Sequence, residues 1–351
     1  MIRIVCEGDK TEPLFFTDLC DIYCFGDSSI DVRTIPQPPI VEEEVSRESS
    51  VRGFYRGKKR KTRNSDEQTI EPEKVQITGA PPLKWVKYAR RILSEGVDES
   101  WAVYDKDEHP MHKEAFEEAS REVNGKKVNI AFSSRSFEYY LLLHFEYIYH
   151  SFNATECGDR VNGKKIIYKC GTETHPEHDC HGERCINGYA RIHGYWQETK
   201  SSISTFPLVK DRLINGIINA CRLRAESDLA TDAPFYERNP YTNVDKLVGR
   251  LIGCEAIEYG ETFNYNSHGS NWIAKIDDTL QITNLGKSAE LFAAQTITVY
   301  DYKSGKSSTL LDKNIMIEPQ DTASIKCHLN RNSVICIKTP DKKIFLLGNQ
   351  S

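Results

Sequence analysis

The chain has 351 residues, room for two or three domains of ordinary size. Lysine and arginine total 46 against 51 aspartates and glutamates, a formal net charge of -5, so the molecule as a whole does not attract nucleic acid and any such binding has to be local. No apolar run approaches the roughly 20 residues that a membrane-crossing helix requires, the opening residues read as a strand rather than a signal peptide, and eleven scattered cysteines favour reduced thiols over a disulfide framework. The expected setting is the cytoplasm, with no membrane partner.

Ile2-Arg3-Ile4-Val5 is a short apolar strand that delivers the acidic stretch Cys6-Glu7-Gly8-Asp9-Lys10-Thr11-Glu12. The same stretch suits a helix start, with Asp9 or Thr11 as N-cap and carboxylates near the positive end of the helix dipole. Composition breaks after Gly26. The segment 36–82 carries Pro36-Gln37-Pro38-Pro39, the acidic Glu42-Glu43-Glu44, and a basic run with seven positive residues in twelve: Arg52, Arg56, Lys58, Lys59, Arg60, Lys61 and Arg63. A charge-blocked insertion of this kind is either a solvated loop or an arm that contacts nucleic-acid phosphates. In the second case Lys58, Lys59, Arg60, Lys61 and Arg63 are the substrate-binding candidates.

Over 83–95 the apolar residues Trp85, Tyr88, Ala89, Ile92 and Leu93 recur at helical spacing, and Trp101-Ala102-Val103-Tyr104 is the strand that follows. A polar-faced helix over 112–124 and a strand over 128–132 come next. This alternation predicts an α/β domain with a mainly parallel sheet and helices on its faces. The second strand also ends in carboxylates, Asp105-Lys106-Asp107-Glu108. Asp105 and Asp107 alternate along the chain and share a side if the strand continues; a solvated turn is the plain alternative. Carboxylates at two strand ends suit Mg²⁺ or Mn²⁺, which take oxygen ligands and gather at the C-terminal edge of parallel sheets with substrate phosphates. Glu138 sits in the aromatic, helical run Phe137-Glu138-Tyr139-Tyr140-Leu141-Leu142-Leu143-His144-Phe145, where a buried charge needs a partner. His144, off the face of Glu138, reads equally as a core histidine or as a residue that contacts substrate.

Ile4-Val5-Cys6-Glu7-Gly8 with Asp9-Lys10-Thr11-Glu12, Trp101-Ala102-Val103-Tyr104-Asp105-Lys106-Asp107-Glu108-His109, the run from Ser133 to Phe145, and Asn239-Pro240-Tyr241-Thr242-Asn243-Val244 together resemble the RloB-like family. That family is counted among Toprim-fold proteins, relatives of topoisomerase-primase and OLD-nuclease catalytic domains found in prokaryotic anti-phage defence loci. The resemblance covers roughly residues 1 to 255, apart from two large insertions, and implies a Toprim-like fold. It implies further that Glu7 acts as metal ligand or general acid/base and that Asp105 and Asp107 are metal ligands. Glu12 and Glu138 would be additional catalytic carboxylates, with the metal at Glu7, Asp105 and Asp107.

The second insertion, 151–195, holds Cys157, Cys170, Cys180 and Cys185 among His175, His178 and His181. Zinc takes four nitrogen or sulfur donors, and intracellular Cys/His clusters supply them. The spacing is irregular, with twelve, nine and four residues between successive cysteines and no CxxC pair. Structural Zn²⁺ on the four cysteines, or on three with one histidine, stands beside a His-rich loop with free thiols. Helices over 206–226 and 243–252 close the 1–255 unit. Beyond it, 262–351 shows six short strand patterns separated by turn signals, an all-β sandwich without a carboxylate or histidine cluster. Its expected role is recognition of a protein, an effector or another subunit, or simply a structural appendage.

The acidic residues and the resemblance together point to a metal-dependent endonuclease acting on RNA, tRNA included, or on DNA. The resemblance further implies deployment in abortive infection after a partner, such as an SMC-like ATPase, senses the phage, and a homo-oligomer is a further expected association. The competing reading is a non-catalytic Toprim-like binding or regulatory subunit acting through the β-domain.

Overall fold

A computed structural model of the chain describes residues 1–23, 31–36, 81–106, 109–162, 164–172, 182–197, 204–330 and 332–348. The first part is built from β1 (Ile2–Cys6), α1 (Thr11–Tyr23), β2 (Val32–Pro36), α2 (Leu83–Ser94), β3 (Glu99–Asp105), α3 (His112–Ser120), β4 (Asn129–Ser134) and α4 (Phe137–Leu142). A hairpin of β5 (Gly158–Val161) and β6 (Lys164–Ile167) follows, then α5 (Ile186–Ile192), α6 (Phe206–Val209), α7 (Leu213–Ala230), β7 (Tyr241–Thr242) and α8 (Val244–Ile252). Five of the strands form one sheet in the order β2-β1-β3-β4-β7. The first four run parallel and β7 runs antiparallel to β4.

The inner strands β1 and β3 read as nearly continuous apolar runs because both of their faces are covered. Ile2, Ile4 and Cys6 of β1, with Trp101 and Val103 of β3, face a core shared with α1, α4, α7 and α8. Val5, Ala102, Tyr104 and Phe132 face the opposite core, filled by Trp85, Val86 and Ala89 of α2 and Ala115 of α3. The helix expected over 112–124 ends at Ser120, and the long helix expected over 206–226 is broken into α6, a single 3₁₀ turn and α7. Asn243 precedes α8 but spends its side chain elsewhere: its Oδ1 accepts the Phe132 backbone N–H at 2.7 Å, which pins the helix start to the middle of β4.

The remaining strands are β8 (Glu255–Gly260), β9 (Thr262–Ser267), β10 (Ser270–Ile276), β11 (Thr279–Asn284), β12 (Glu290–Phe292), β13 (Ile297–Asp301), β14 (Lys306–Thr309), β15 (Ile315–Ile317), β16 (Thr322–Lys326), β17 (Ser333–Lys338) and β18 (Lys343–Leu347). A four-stranded sheet, β16-β11-β10-β9, faces a five-stranded one, β14-β13-β17-β18-β8, across a shared core that includes Trp272, Ile282, Ile335 and Phe345. The β-rich character expected for 262–351 is present, with more strands than the six foreseen. It also begins earlier, because β8 pairs in parallel with the final strand β18. Among the described residues no helix is long and apolar enough to cross a membrane.

The two parts meet along α7. Period-2 alternation in β17 and β18 sends Ile335, Ile337, Phe345 and Leu347 into the inter-sheet core, and sends Val334, Cys336, Ile344 and Leu346 outward against Ile218 and Cys221 of α7. The same helix turns Leu213, Ile217, Ala220 and Leu223 towards the first core. A helix apolar on opposite sides is one that is buried on both. At the edge of the seam the Arg222 guanidinium lies 4.0 Å from the Tyr147 ring centroid and 4.1 Å from that of Tyr302, a double cation–π contact.

The most demanding polar contact in this region is the fully paired Arg224 of α7. Its Nη2 donates to Asp245 Oδ2 at 2.8 Å, its Nη1 donates to Asp245 Oδ1, and Nη1 also reaches the Thr242 carbonyl at 3.1 Å. Both side chains are buried. Removing one partner strands the other charge without solvent, so Asp245→Ala should cost about 3 to 5 kcal/mol in urea denaturation. The double variant Asp245→Leu with Arg224→Met should recover most of that loss. If the single variant instead unfolds within about 0.5 kcal/mol of the parent, the pair does not anchor α8 to α7.

Candidate acidic site

Parallel pairing sets Cys6 opposite Val103, so that Glu7 and Asp105 emerge side by side from the C-terminal ends of adjacent strands. Two hydrogen bonds fix them. The Glu7 backbone N–H donates to the Val103 carbonyl at 2.9 Å, extending the ladder by one bond. The Asp105 backbone N–H donates to Glu7 Oε2 at 3.2 Å, so the Glu7 carboxylate lies across the mouth of β3. His109 Nε2 is 3.7 Å from the other Glu7 oxygen.

Two helix starts supply further carboxylates. The sequence after Gly8 turns directly into α1, and Glu12 in its first turn folds back over that glycine. A Cβ at position 8 would lie 2.2 Å from Glu12 Oε2, so the approach requires glycine. Glu138 occupies the first turn of α4 and is only 2% exposed, against 7% for Glu12. Both carboxylates lie at the positive end of a helix dipole. Glu7, Asp9, Glu12, Asp105 and Glu138 line one cleft of about 520 Å³, together with Lys10, Lys84, Trp85, His109, Ser136 and Thr155.

The charge in the cleft is felt by its neighbours. Burial, reinforced by the carboxylate of Glu12, pushes the Cys6 thiol well up, and burial with the charge of Glu7 pushes up the Tyr104 hydroxyl. On the opposite wall Ser136 Oγ is buried with no hydrogen-bond partner among the described residues. A polar group entering the cleft would satisfy it.

The expected residues therefore divide. Glu7, Glu12, Asp105 and Glu138, distant in sequence, are brought together. Asp107, Lys58, Lys59, Arg60, Lys61, Arg63 and Cys180 lie outside the described residues. His144 is not a substrate contact: it is fully buried, Nδ1 donates to the Tyr140 carbonyl at 2.9 Å, and the ring packs so closely on α7 that a Cβ at Gly216 would lie 2.5 Å from Nε2. The sequence reading missed Lys10, Lys84, His109, Ser136 and Thr155. Lys10 and His109 sit inside the acidic motifs themselves, and Ser136 stands where a helix N-cap would, whereas nothing local marks Lys84.

In the second insertion the sulfurs of Cys157, Cys170 and Cys185 all lie within 4.8 Å of one another. They come from three places: before β5, after β6, and the residue preceding α5.

The burial of His144 carries a pH signature. Burial depresses its folded pKa to about 4, against an ordinary value near 6.5. The unfolded chain then binds the extra proton between these values, so the contribution is complete above about pH 6.5 and fades as pH falls towards 4. Urea denaturation from pH 7 to pH 4 should show up to about 3 kcal/mol more acid destabilisation in the parent than in His144→Gln. Equal slopes would place the ring in solvent.

Searches of curated proteins and of solved structures returned no match. A family described as RloB-like protein matches residues 2–251, which span both strand ends and both helix starts of the acidic cleft. The chain belongs to the RloB-like family.

Proposed function

We propose that this protein is a metal-dependent nuclease on a Toprim-type fold, hydrolysing phosphodiester bonds in RNA or DNA as an effector of prokaryotic anti-phage defence. The observation that carries the reading is the convergence of four carboxylates from two strand ends and two helix starts on one cleft, with Glu7 tied to the backbone of Asp105. An all-oxygen donor set fits Mg²⁺ or Mn²⁺, and Glu7 and Asp105 would hold the ion, with Asp107 next in sequence. Such an ion, when bound, supplies Lewis-acid stabilisation of the phosphoryl charge and a more acidic water.

The chain's own groups do the rest. Glu7, held beside His109, accepts a proton from the attacking water. Lys10 and Lys84 on the rim meet the phosphate backbone, which needs positive charge locally because the chain as a whole is acidic. Ser136 offers its hydroxyl to a non-bridging oxygen. Glu12 and Glu138, the more deeply buried pair, set the electrostatic field of the cleft. The defence role and a sensing partner, such as an ATPase, rest on the kind of family the motifs resemble.

Incubation of the purified protein with Mn²⁺ and plasmid DNA, total RNA or tRNA, with and without the product of its neighbouring gene, should reveal cleavage of one class. Glu7→Gln and Asp105→Asn should each lower the rate on the order of 100-fold or more while leaving the unfolding midpoint in place. If every substrate stays intact under all these conditions, the protein is instead a non-catalytic subunit that binds through its β-rich part.

Lys84→Ala gives an independent check on the substrate class. Nucleic-acid affinity should fall about equally for all sequences, and the salt dependence should flatten by roughly one counterion. An unchanged salt slope would remove Lys84 from the backbone contact.

A further inference from the structure

The second insertion buries Phe152, Ile186 and Ala190 in the first core, while its cysteines gather in a cluster of their own. Among the described residues its buried cluster consists of Cys157, Cys170 and Cys185, with Tyr168 packed against them. Three small thiols exclude too little surface from water to hold the β5–β6 hairpin against α5 by themselves. Their geometry suggests what does. Tetrahedral zinc with Zn–S bonds of about 2.3 Å places its sulfurs roughly 3.8 Å apart, and these three sulfurs lie within 4.8 Å of one another.

The surroundings are shaped for this convergence. Gly188, in the first turn of α5, leaves room that any side chain would fill, since a Cβ there would lie 2.6 Å from Cys185 Sγ and 2.8 Å from Cys170 Cβ. The Cys170 carbonyl accepts from Arg191 Nη1 at 2.9 Å, and Arg191 is itself ion-paired with Glu156 beside Cys157. Cys185 pairs with Ala154 as an isolated parallel bridge. The Ile186 N–H donates to the Ala154 carbonyl at 3.2 Å and the Asn187 N–H to that of Thr155 at 3.1 Å. Thr155, two residues before Cys157, lines the acidic cleft.

We propose that Cys157, Cys170 and Cys185 bind a structural Zn²⁺, and that this ion fixes the wall of the acidic cleft to which Thr155 belongs. Soft thiolates select zinc over the hard cation that suits the cleft, so the two sites do not compete. Zinc requires a fourth donor, and the fourth cysteine of the insertion, Cys180, lies outside the described residues. Both thiolate-bearing segments on either side of the Ala154–Cys185 bridge are tied to the ion, so its removal releases the bridge and the wall together.

The test uses the full chain purified without chelators. Elemental analysis should find about one zinc per chain, and Cys157→Ser and Cys185→Ser should each remove most of it. Hydrogen exchange should then show the Ile186 and Asn187 amides losing protection when the ion is stripped from the parent by a strong chelator and regaining it when Zn²⁺ is returned. That second readout covers the case in which the serine variants fail to fold. Zinc absent from the parent, zinc retained in the serine variants, or iron in its place would overturn the site. Zinc present with unchanged exchange at Ile186 and Asn187 would overturn its role in the wall. Neither readout involves substrate, so a protein that holds zinc and cuts nothing would refute the nuclease reading and leave the zinc site standing.

Discussion

The parallel pairing of β1 with β3 is the constraint on which the cleft depends. It joins segments nearly a hundred residues apart, with Cys6 opposite Val103. A slip of one residue would exchange the faces of the strand that moves, sending Ile4 where Val5 now lies or Val103 where Tyr104 now lies. Because both faces are buried, either slip would misplace side chains against helices already in contact. The packing of two cores therefore fixes the register, and the register fixes the separation of Glu7 from Asp105. The geometry of the cleft is a by-product of hydrophobic burial rather than of attraction between its carboxylates, which repel one another.

That repulsion is the cost the fold carries. Five carboxylates line one cleft, those of Glu7, Asp9, Glu12, Asp105 and Glu138, and two of them are less than a tenth exposed; burial, reinforced by Glu12 and Glu7, pushes up a neighbouring thiol and a phenol. Backbone dipoles soften it. Asp105 N–H donates to Glu7, and Glu12 and Glu138 each occupy the first turn of a helix. Each of these contributes a partial rather than a full opposite charge. The glycine after Glu7 belongs to the same balance, since only the absence of a side chain lets Glu12 fold back beside it.

Much of this was legible from residues alone, and the reasons differ by element. Strand ends followed by carboxylates were visible because two-sided burial writes itself as the unbroken runs Ile2-Arg3-Ile4-Val5-Cys6 and Trp101-Ala102-Val103-Tyr104. Glu138 was visible as a charge among aromatics. His144, only six residues further on, was not assignable, because its role depends on the close approach of Gly216 from a helix seventy residues away in the chain. Lys84 and Thr155 were invisible for the same reason: each reaches the cleft through tertiary packing and leaves no local pattern. In the β-rich part the sequence undercounted strands, since edge segments such as β14, exposed throughout, lack the alternation that a half-buried strand displays. The boundary strand β8 escaped because its partner, β18, is the last strand in the chain.

The β-rich part and the cleft share one mechanical element. Helix α7 packs on α4, which carries Glu138, and Asn219 of α7 donates to the Leu143 carbonyl at 2.6 Å just past the end of α4. On its far side α7 meets the five-stranded sheet through Ile218 and Cys221, and Asn215 donates to the Gly305 carbonyl at 3.2 Å. The helix that positions Glu138 is thus buttressed by a second helix that the β-rich part holds in turn. Spatial continuity of this kind does not by itself establish communication between sites. It does establish that removing the β-rich part would expose the apolar outer face of α7 along with Val334, Cys336, Ile344 and Leu346. A contact surface that size, covered within the same chain, ties the acidic site to a part of the molecule that contributes no carboxylate to it.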